Sequence, residues 1–513
     1  MQHKTGPDRN QIQMISLDQM VEKEALVRII DAFVDMLDLE SFGFTYYKLN
    51  REGRPPFHPS TMMKIYLYGY QYGIRSCRRL EKACKTNVEM MWLINQQQPH
   101  YKTIANFRKD NTKAFKEVFR YFVALLKEWK LIEGKTIAID SFKIRAQNSL
   151  KNNFNERKVK RHLDYIDNKI ADYENELEKE FDQEIKDKLD HNAKKKDNYQ
   201  TIQRHLKVSG DGQISTTDPD AKAVVFQRNS VRVGYNIQAA SDRKHKLLIA
   251  ADTGNVNDTK ALGPMVERVQ KNLDSSEAPM DVLADKGYHS GRELKTCEML
   301  KVTTYVSPKN SSSLKKNPDY AMGRFEYDKQ NDTYTCPAGE TMHTNGRWYN
   351  KSLKNGRKSY LVKHYKTKAC KKCRLKSECT SNKLGRIIER TEYAQYVARN
   401  NERVNNNPDY YRKRQQIIEH QFGTLKRHRC FDYTLMKGKQ KVLSEIYVAF
   451  TMYNLGRTLS ILGFSQLMKA IKTVISNIIS EFVFIRATEH LNIIETKTLR
   501  KDHRTPCIRS LIF

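Results

Sequence analysis

The stretch Val282-Leu283-Ala284-Asp285-Lys286-Gly287-Tyr288-His289-Ser290 decides the fold of this chain. Its apolar run ends on the carboxylate of Asp285, and Gly287 turns the chain immediately afterwards. A buried strand delivers an acidic side chain to the edge of a parallel sheet in this way, and ligands bind at that edge. We therefore predict that Asp285 lies at a ligand-binding edge, where Tyr288 and His289 either contact substrate or pack the turn.

Two further acids stand in comparable positions. Thr136-Ile137-Ala138-Ile139-Asp140 is another apolar strand that ends on Asp, and Glu419 lies in a helical pattern over residues 410–426. For any one such acid a turn or cap residue is the commoner explanation, but three in this order favour a shared site. Carboxylates suit Mg²⁺ (or Mn²⁺), and two ions about 4 Å apart can serve an in-line phosphoryl displacement. We predict one metal-binding carboxylate cluster.

The charge of the chain indicates its partner. There are 91 basic and 59 acidic residues, a net charge of +32, which costs self-repulsion and is best explained by a polyanionic ligand. A ribosome-like or membrane-surface protein would share this charge, but neither would need the strand-borne acids. No apolar run approaches the roughly 18 residues of a membrane span, and the N-terminus lacks a signal peptide. We expect an intracellular protein whose nine cysteines are reduced.

Residues 1–130 are predicted to form a helical DNA-binding domain. Short helices joined by tight turns resemble a helix-turn-helix reader. Its basic side chains, which we expect to be exposed, are Arg75, Arg78, Arg79, Lys102, Arg108 and Lys109. A helical bundle with an ordinary solvated basic face is the alternative. Spacing alone favours the bundle, and the net charge of the chain brings the two interpretations close to even.

Residues 131–310 are predicted to form the first part of an α/β core, whose elements follow the order strand, hairpin, helix, strand, helix, strand. Residues 135–140 form the first strand, and residues 142–147 continue it or pair with it. An arm at about 155–200, with apolar residues every three or four positions, predicts a coiled coil or helical hairpin inserted in the core. The order of the core resembles a ribonuclease-H-like fold, whose active site stands at the positions of Asp140 and Asp285.

Residues 311–385 are polar and rich in cysteine. Cys370-Lys371-Lys372-Cys373 has metal-ligand spacing, Cys336-Pro337-Ala338-Gly339 resembles a knuckle, and Cys379 supplies a fourth thiolate. A structural Zn²⁺ site is one interpretation, and a zinc-free loop with incidental thiols is the other. Residues 386–464 form the helical end of the core that carries Glu419. We assign no role to residues 465–513.

Three motifs together resemble a known family. Asp140-Ser141-Phe142-Lys143-Ile144-Arg145-Ala146, Ala284-Asp285-Lys286-Gly287-Tyr288 and Glu419-His420-Gln421-Phe422-Gly423-Thr424-Leu425-Lys426 are similar to the motifs of DDE transposases from bacterial insertion sequences. Within this family, the chain resembles the group that has a helical N-terminal domain and a Tyr-Arg-Glu-Lys third motif. The resemblance implies metal-dependent cleavage at terminal inverted repeats, followed by joining of the freed 3′ hydroxyl to target DNA. It also implies a homodimer acting on double-stranded DNA in the bacterial cytoplasm.

The resemblance also implies roles for individual residues. Asp140, Asp285 and Glu419 take the metal, and Lys426 takes a DNA phosphate. The motif expects an arginine at the position of Gln415, so Arg412 and Arg414 are both candidates, and Tyr411 fits only with Arg414. Further predicted DNA contacts are Lys143, Tyr288, Arg78, Arg79 and Arg108.

Several alternatives stay open at this point. Arg412, Glu419 and Lys426 are seven residues apart and predict one helical stripe, which either grips phosphates or is a surface salt-bridge row. The whole chain is a transposase, an inactive or repurposed DNA-binding protein that only occupies sites, or an assembly scaffold built on the arm. Hairpin, replicative and hydrolytic release of the element are equally compatible with the sequence.

Overall fold

The computed structural model describes residues 10–501 apart from 13, 46–51, 53–54, 180–181, 227–228, 255, 276–277, 309–316 and 354–356. The chain divides into two compact units. The first comprises residues 1–121, 428–430 and 444–513, and the second comprises residues 122–427 and 431–443. Among the described helices, none combines the length and apolar character needed to cross a membrane.

The helices are α1 (Leu17–Met20), α2 (Leu26–Asp35), α3 (Pro59–Gln71), α4 (Cys77–Thr86), α5 (Val88–Leu93), α6 (Tyr101–Asp110), α7 (Thr112–Glu128), α8 (Glu156–Leu177), α9 (Gln183–Ser209), α10 (Leu262–Leu273), α11 (Gly291–Met299), α12 (Lys376–Cys379), α13 (Ala394–Asn406), α14 (Pro408–Gly423) and α15 (Lys439–Lys501). The strands are β1 (Thr136–Arg145), β2 (Asn153–Phe154), β3 (Ile214–Ser215), β4 (Lys222–Val225), β5 (Val231–Asp242), β6 (Leu248–Asp252), β7 (Met280–Ala284), β8 (Val302–Val306), β9 (Glu326–Asp328), β10 (Thr333–Thr335), β11 (Thr341–Thr344), β12 (Tyr349–Leu353), β13 (Arg357–Lys366) and β14 (Ile388–Thr391).

The first unit is helical, as predicted, but two arginines that were predicted to be exposed are buried. Arg75 is 2% exposed and donates to the buried carboxylate of Glu445 at 2.8 Å. Arg108 is also buried and donates to the Tyr70 hydroxyl at 3.3 Å. A guanidinium can be buried where its donors are satisfied. The prediction that Arg75 and Arg108 are exposed, and that Arg108 contacts DNA, was therefore wrong.

The other basic side chains of this unit lie at its surface. The exposed residues are Arg78, Arg79, Lys102 and Lys109. The Arg78 guanidinium lies 4.8 Å from the centre of the Tyr101 ring, which brings α4 and α6 together at this face. These four cations remain available to a polyanion.

The second unit contains a mixed sheet in the order β4-β5-β1-β7-β8, with β6 also paired to β5. β5 and β6 are antiparallel neighbours, whereas β1, β7 and β8 are parallel. The chain passes through β1, the β5–β6 hairpin, α10, β7, α11 and β8, which is the predicted order. The α/β class is confirmed.

β1 differs from the prediction in one respect. It is a single strand through Arg145, so Asp140 lies in its middle and not at its end. The reason is its partner β5, which pairs along the whole strand from Ile137↔Asp242 to Arg145↔Gly234. A Cβ atom at Gly234 would lie 2.3 Å from the Ile144 carbonyl oxygen, so only glycine permits this close pairing.

The predicted arm is a helical hairpin. α8 packs on α9, and the strand pair β2–β3 (Asn153↔Ser215) closes its base. Phe154, Val159 and Leu206 form a small core there. The arm continues to Ser209, beyond the predicted end near residue 200, and Gly210 with φ 65° ends it. Phe181, which belongs to the predicted repeat, lies outside the described residues.

The cysteine-rich segment contains a second sheet, in the order β12-β13-β11-β10-β9, with β14 paired to β13. The sequence did not predict these strands, because they are short and mostly polar. Their buried cluster is Phe325, Tyr334, Met342, Tyr365 and Ile388. The predicted boundary at residue 311 lies outside the described residues.

Candidate active site

Asp140 and Asp285 occupy matching positions on neighbouring parallel strands. Ile139 pairs with Ala284, and each acid is the next residue along its strand. β7 ends at Ala284, so Asp285 stands where the two strands separate. Asp285 precedes a short 3-10 helix, but its carboxylate does not cap that helix. Both carboxylates therefore lie at one place on the sheet.

Asp258 is a third acid at this place, and it was not predicted from the sequence. Its Oδ1 atom accepts hydrogen bonds from Asn236 Nδ2 at 2.8 Å and from Gln238 Nε2 at 2.7 Å. A Cβ atom at Gly287 would lie 3.1 Å from Asp258 Oδ2, so the carboxylate packs against the turn that follows Asp285. The signal in the sequence was the pair Asn236 and Gln238, which occupy alternate positions of the largely apolar strand β5. Buried amides require polar partners, so this pair indicated a polar group nearby.

A cation from α14 neutralises part of this charge. Arg414 Nη1 lies 2.5 Å from Asp140 Oδ2, and the two side chains are 9% and 21% exposed. Burial raises the pKa of Asp140 to about 6 against the lowering effect of Arg414, and Asp285 and Asp258 add to the rise. The three carboxylates are thus close enough to repel one another. A bound cation would reduce this repulsion.

Helix α14 crosses the sheet in a defined orientation. Tyr410 near its start donates to Asp281 Oδ2 at 2.7 Å, and Gln421 near its end donates to Ser241 Oγ at 2.6 Å. Ile417 and Ile418 are buried between these anchors. Glu419 is exposed, five residues beyond Arg414. The structure therefore brings Asp140, Asp285, Asp258 and Arg414 together, with Glu419 on an outer face of the helix.

The remaining predicted residues of the third motif separate into different environments. Lys426 lies in a π-helical turn (Thr424–His428), with its ammonium 5.5 Å from the Phe142 ring centre. Burial lowers the pKa of Lys426, and neighbouring Lys143 lowers it further. Arg412 is exposed and pairs with Asp409 at 3.0 Å. Lys426 is therefore partly buried in a turn that is not α-helical, whereas Arg412 and Glu419 are exposed on α14, and the predicted single stripe stays a prediction.

Tyr288 does not contact solvent. It is fully buried, and its hydroxyl donates to Gln238 Oε1. The predicted DNA contact by Tyr288 was therefore wrong, and the alternative that it packs the turn is correct. Because Gln238 also donates to Asp258, Tyr288 helps to hold that carboxylate in position.

The four cysteines of the second sheet surround one cavity of about 30 Å³, which Phe325 and Met342 also line. Burial raises the pKa of Cys379, and the Cys370, Cys336 and Cys373 thiols add to the rise against Arg386. Across the described residues, no group of three or more His, Cys, Asp or Glu side chains is arranged so that it could hold a metal ion. The carboxylate donors nevertheless suit Mg²⁺ and the thiol donors suit Zn²⁺.

The raised pKa of Asp140 predicts a pH dependence for Mg²⁺ binding. Protonation of Asp140 stabilises the metal-free folded state below its ordinary pKa of 3.8, and this contribution is lost as the pH rises through about 6. Mg²⁺ requires the carboxylate, so we expect its affinity to fall by about tenfold per pH unit below pH 6 and to level off above pH 7. Calorimetric Mg²⁺ titrations at pH 5, 6, 7 and 8 measure this. An affinity that is constant over this range would contradict the prediction.

The Arg414–Asp140 pair predicts an unusual effect of Arg414→Gln. Because pH 8 lies above the pKa of about 6 that Asp140 has beside Arg414, the main effect of removing the guanidinium there is to remove a cation that competes with Mg²⁺. We expect Mg²⁺ to bind about tenfold more tightly without DNA, on the order of 1.4 kcal/mol, as for one charge near a partly buried site. Arg412→Gln is the matched control, since Arg412 pairs with exposed Asp409. Equal affinities in both variants and the unaltered chain would show that Arg414 does not compete for the site.

Two protein-family models match parts of this chain. A model described as a transposase domain (DUF772) matches residues 15–110, and a model described as a transposase DDE domain matches residues 335–459. The matches support a DDE transposase. Glu419 and Lys426 lie within the matched transposase DDE domain, whereas Asp140 and Asp285 lie between the two matched ranges. A comparison with curated proteins finds no match.

One solved structure similar to this chain is a cryo-EM structure of a piggyBac transposase synaptic complex with hairpin DNA. The identity is 10% and the TM-score is 0.29, over 90% of this chain and 78% of that chain. A TM-score this low supports no conclusion about the fold of this chain.

Proposed function

We propose that this chain is the transposase of an insertion sequence, which cleaves the ends of the element and joins the freed 3′ hydroxyl to target DNA. The observation that carries the proposal is the matched position of Asp140 and Asp285 after the pair Ile139↔Ala284. The strand order β6-β5-β1-β7-β8, with only β7 and β8 parallel to β1, supports a ribonuclease-H-like core. The matched transposase domains support the same class of activity.

The roles of the residues follow from their chemistry. Asp140 and Asp285 would hold Mg²⁺ (or Mn²⁺) with Glu419, and the bound ions would activate the attacking hydroxyl and stabilise the leaving oxygen. Asp258, held by Asn236 and Gln238, keeps negative charge beside the two strand acids. Carboxylates fixed on strands need little reorganisation when substrate arrives, which favours reaction.

Glu419 has to approach the strand acids for this assignment. The side chain is on the same helix as Arg414, about 7.5 Å further along the axis at 1.5 Å per residue. We propose that binding of DNA phosphates by Arg414 and Lys426 releases Asp140 and turns this part of α14 toward the sheet. Arg suits such a role because its planar group binds phosphate by two parallel hydrogen bonds.

Binding of double-stranded DNA is assigned to the exposed cations of both units. In the first unit these are Arg78, Arg79, Lys102 and Lys109, and in the second Arg412 is exposed and Lys143 is partly exposed. Contacts to phosphates bind DNA without reading its sequence, so affinity should fall steeply with salt. Pairing two ends of an element requires two active sites, and we therefore propose a homodimer.

A cleavage assay tests the function. The substrate is a labelled duplex carrying the DNA that flanks the coding frame, with any inverted repeats it contains, and a scrambled duplex is the control. We expect strand cleavage at the repeat ends with Mg²⁺ and none with EDTA. DNA binding without cleavage under both conditions would favour the second candidate, an inactive protein that only occupies its sites. The observation that favours an inactive protein is the outward position of Glu419, which is exposed on α14.

A further inference from the structure

We propose that Cys336, Cys370, Cys373 and Cys379 form a structural zinc site that holds the second sheet together. The proposal does not depend on the transposase function. All four residues line one cavity of about 30 Å³, although they come from two segments more than 30 residues apart. Four thiolates without histidine or carboxylate are the donor set of a closed, tetrahedral zinc site.

The sheet explains why the two segments meet. Cys336 lies in the tight turn between β10 and β11, where Gly339 N donates to the Cys336 carbonyl at 2.8 Å. Cys370 and Cys373 follow the end of β13, which pairs with β11 through His343↔Lys366. The turn and the CxxC segment are thereby placed at the same edge.

Cys379 is brought to the same cavity by a short helix. The spacing from Cys373 to Cys379 is longer than in a CxxC pair, but Lys376 N donates to the Cys373 carbonyl at 3.2 Å and Cys379 N donates to the Leu375 carbonyl at 2.9 Å. These bonds fold the intervening residues into α12 and return the chain to the cavity. The irregular spacing is therefore compatible with a four-cysteine site.

Two further observations point to an occupant. Arg386 also lines the cavity, and its Nε–H is buried without a hydrogen-bond partner among the described residues. A metal-bound thiolate is an acceptor that would satisfy such a donor. The buried cluster of this sheet consists, in its described part, of five side chains, and small modules of this kind commonly need a metal or disulfides for stability.

In the part of the chain that the structure describes, no group of three or more His, Cys, Asp or Glu side chains is placed where it could hold a metal ion. Zinc–sulfur bonds of about 2.3 Å require the sulfurs to converge. All four cysteines are free and partly exposed, so rotation of their side chains toward the shared cavity can bring them together. Zinc uptake would then couple to ordering of this sheet.

Metal analysis of the full chain, purified under reducing conditions, tests the site. We expect about one equivalent of zinc per chain, and loss of that zinc in the Cys370→Ser/Cys373→Ser double variant. Cys430→Ser is the matched control, because Cys430 is exposed and belongs to the other unit, and it should keep its zinc. Retention of zinc by the double variant would overturn the proposal.

A second measurement remains informative if the double variant does not fold. Cobalt substitution of the unaltered chain should give the intense thiolate-to-cobalt bands of a tetrahedral site, and a thiol-specific mercurial should release the metal. A zinc chelator should increase proteolytic cleavage between residues 317 and 391 without changing cleavage in the first unit. A zinc-free chain that shows neither the cobalt bands nor the chelator effect would refute the site, as would iron in place of zinc.

Discussion

Replacing Asp285 with Asn is expected to reduce Mg²⁺-dependent cleavage of the element's ends by at least about a thousand-fold. Asp285 stands beside Asp140 in register, and Asp258 is packed against the turn that follows it. Asn keeps the size of the side chain but removes a charge from the proposed metal site. A metal ion contributes several kcal/mol to such a displacement, and each 1.36 kcal/mol corresponds to about tenfold in rate.

The rate of strand cleavage on the flanking duplex is the measurement, and DNA binding in EDTA should stay within about twofold of the unaltered chain. Asp409→Asn is the matched control, because Asp409 carries the same carboxylate but is exposed on the first turn of α14. Glu419→Gln should be as inactive as Asp285→Asn if Glu419 completes the site. Cleavage by Asp285→Asn at the rate of the unaltered chain would refute the assignment of the active site.

The largest expected effect on stability comes from Glu445→Ala in the first unit. Arg75 and Glu445 are 2% and 0% exposed, and their ion pair spans 2.8 Å. Removing one partner leaves a buried guanidinium without its carboxylate, which typically costs about 3–5 kcal/mol. Arg75 also donates to the Cys430 carbonyl at 2.9 Å, so loss of its position disturbs a second segment of this unit.

Urea unfolding followed by circular dichroism measures the cost, and hydrogen exchange in α3 localises it to the first unit. Glu81→Ala is the control, because Glu81 forms a partly exposed pair with Lys85 at 2.9 Å and accepts a hydrogen bond from Tyr101 N at 3.1 Å, interactions whose loss typically costs only about 1–2 kcal/mol. If Glu445→Ala shifts the free energy of unfolding no more than Glu81→Ala does, the buried pair is not important for stability.

The predictions that succeeded rest on local patterns. The apolar runs before Asp140 and Asp285 are typical of strands that are buried on both faces. The positions of these strands and their order could therefore be predicted from the sequence. Pro408 at the first turn of α14 and the three- and four-residue repeat of the arm are equally local signals.

The failures involve partners remote in the sequence. Arg75 and Arg108 were expected at the surface because cations usually are, and only folding showed that carboxyl, carbonyl and phenol groups meet them inside the first unit. The choice between Arg412 and Arg414 depended on Asp140, which is 274 residues from Arg414. Asp258 was missed because the amides that hold it, those of Asn236 and Gln238, lie 22 and 20 residues away on β5.

The sequence by itself determined the class of the fold, the helical hairpin segment and the pair of strand acids, because side-chain periodicity reflects which face of an element is buried. Tertiary structure decided which arginine meets Asp140, that Asp258 joins the acids, that Glu419 faces outward and that four cysteines share a cavity. Those facts depend on distances between side chains of different elements, and such distances exist only once the chain has packed.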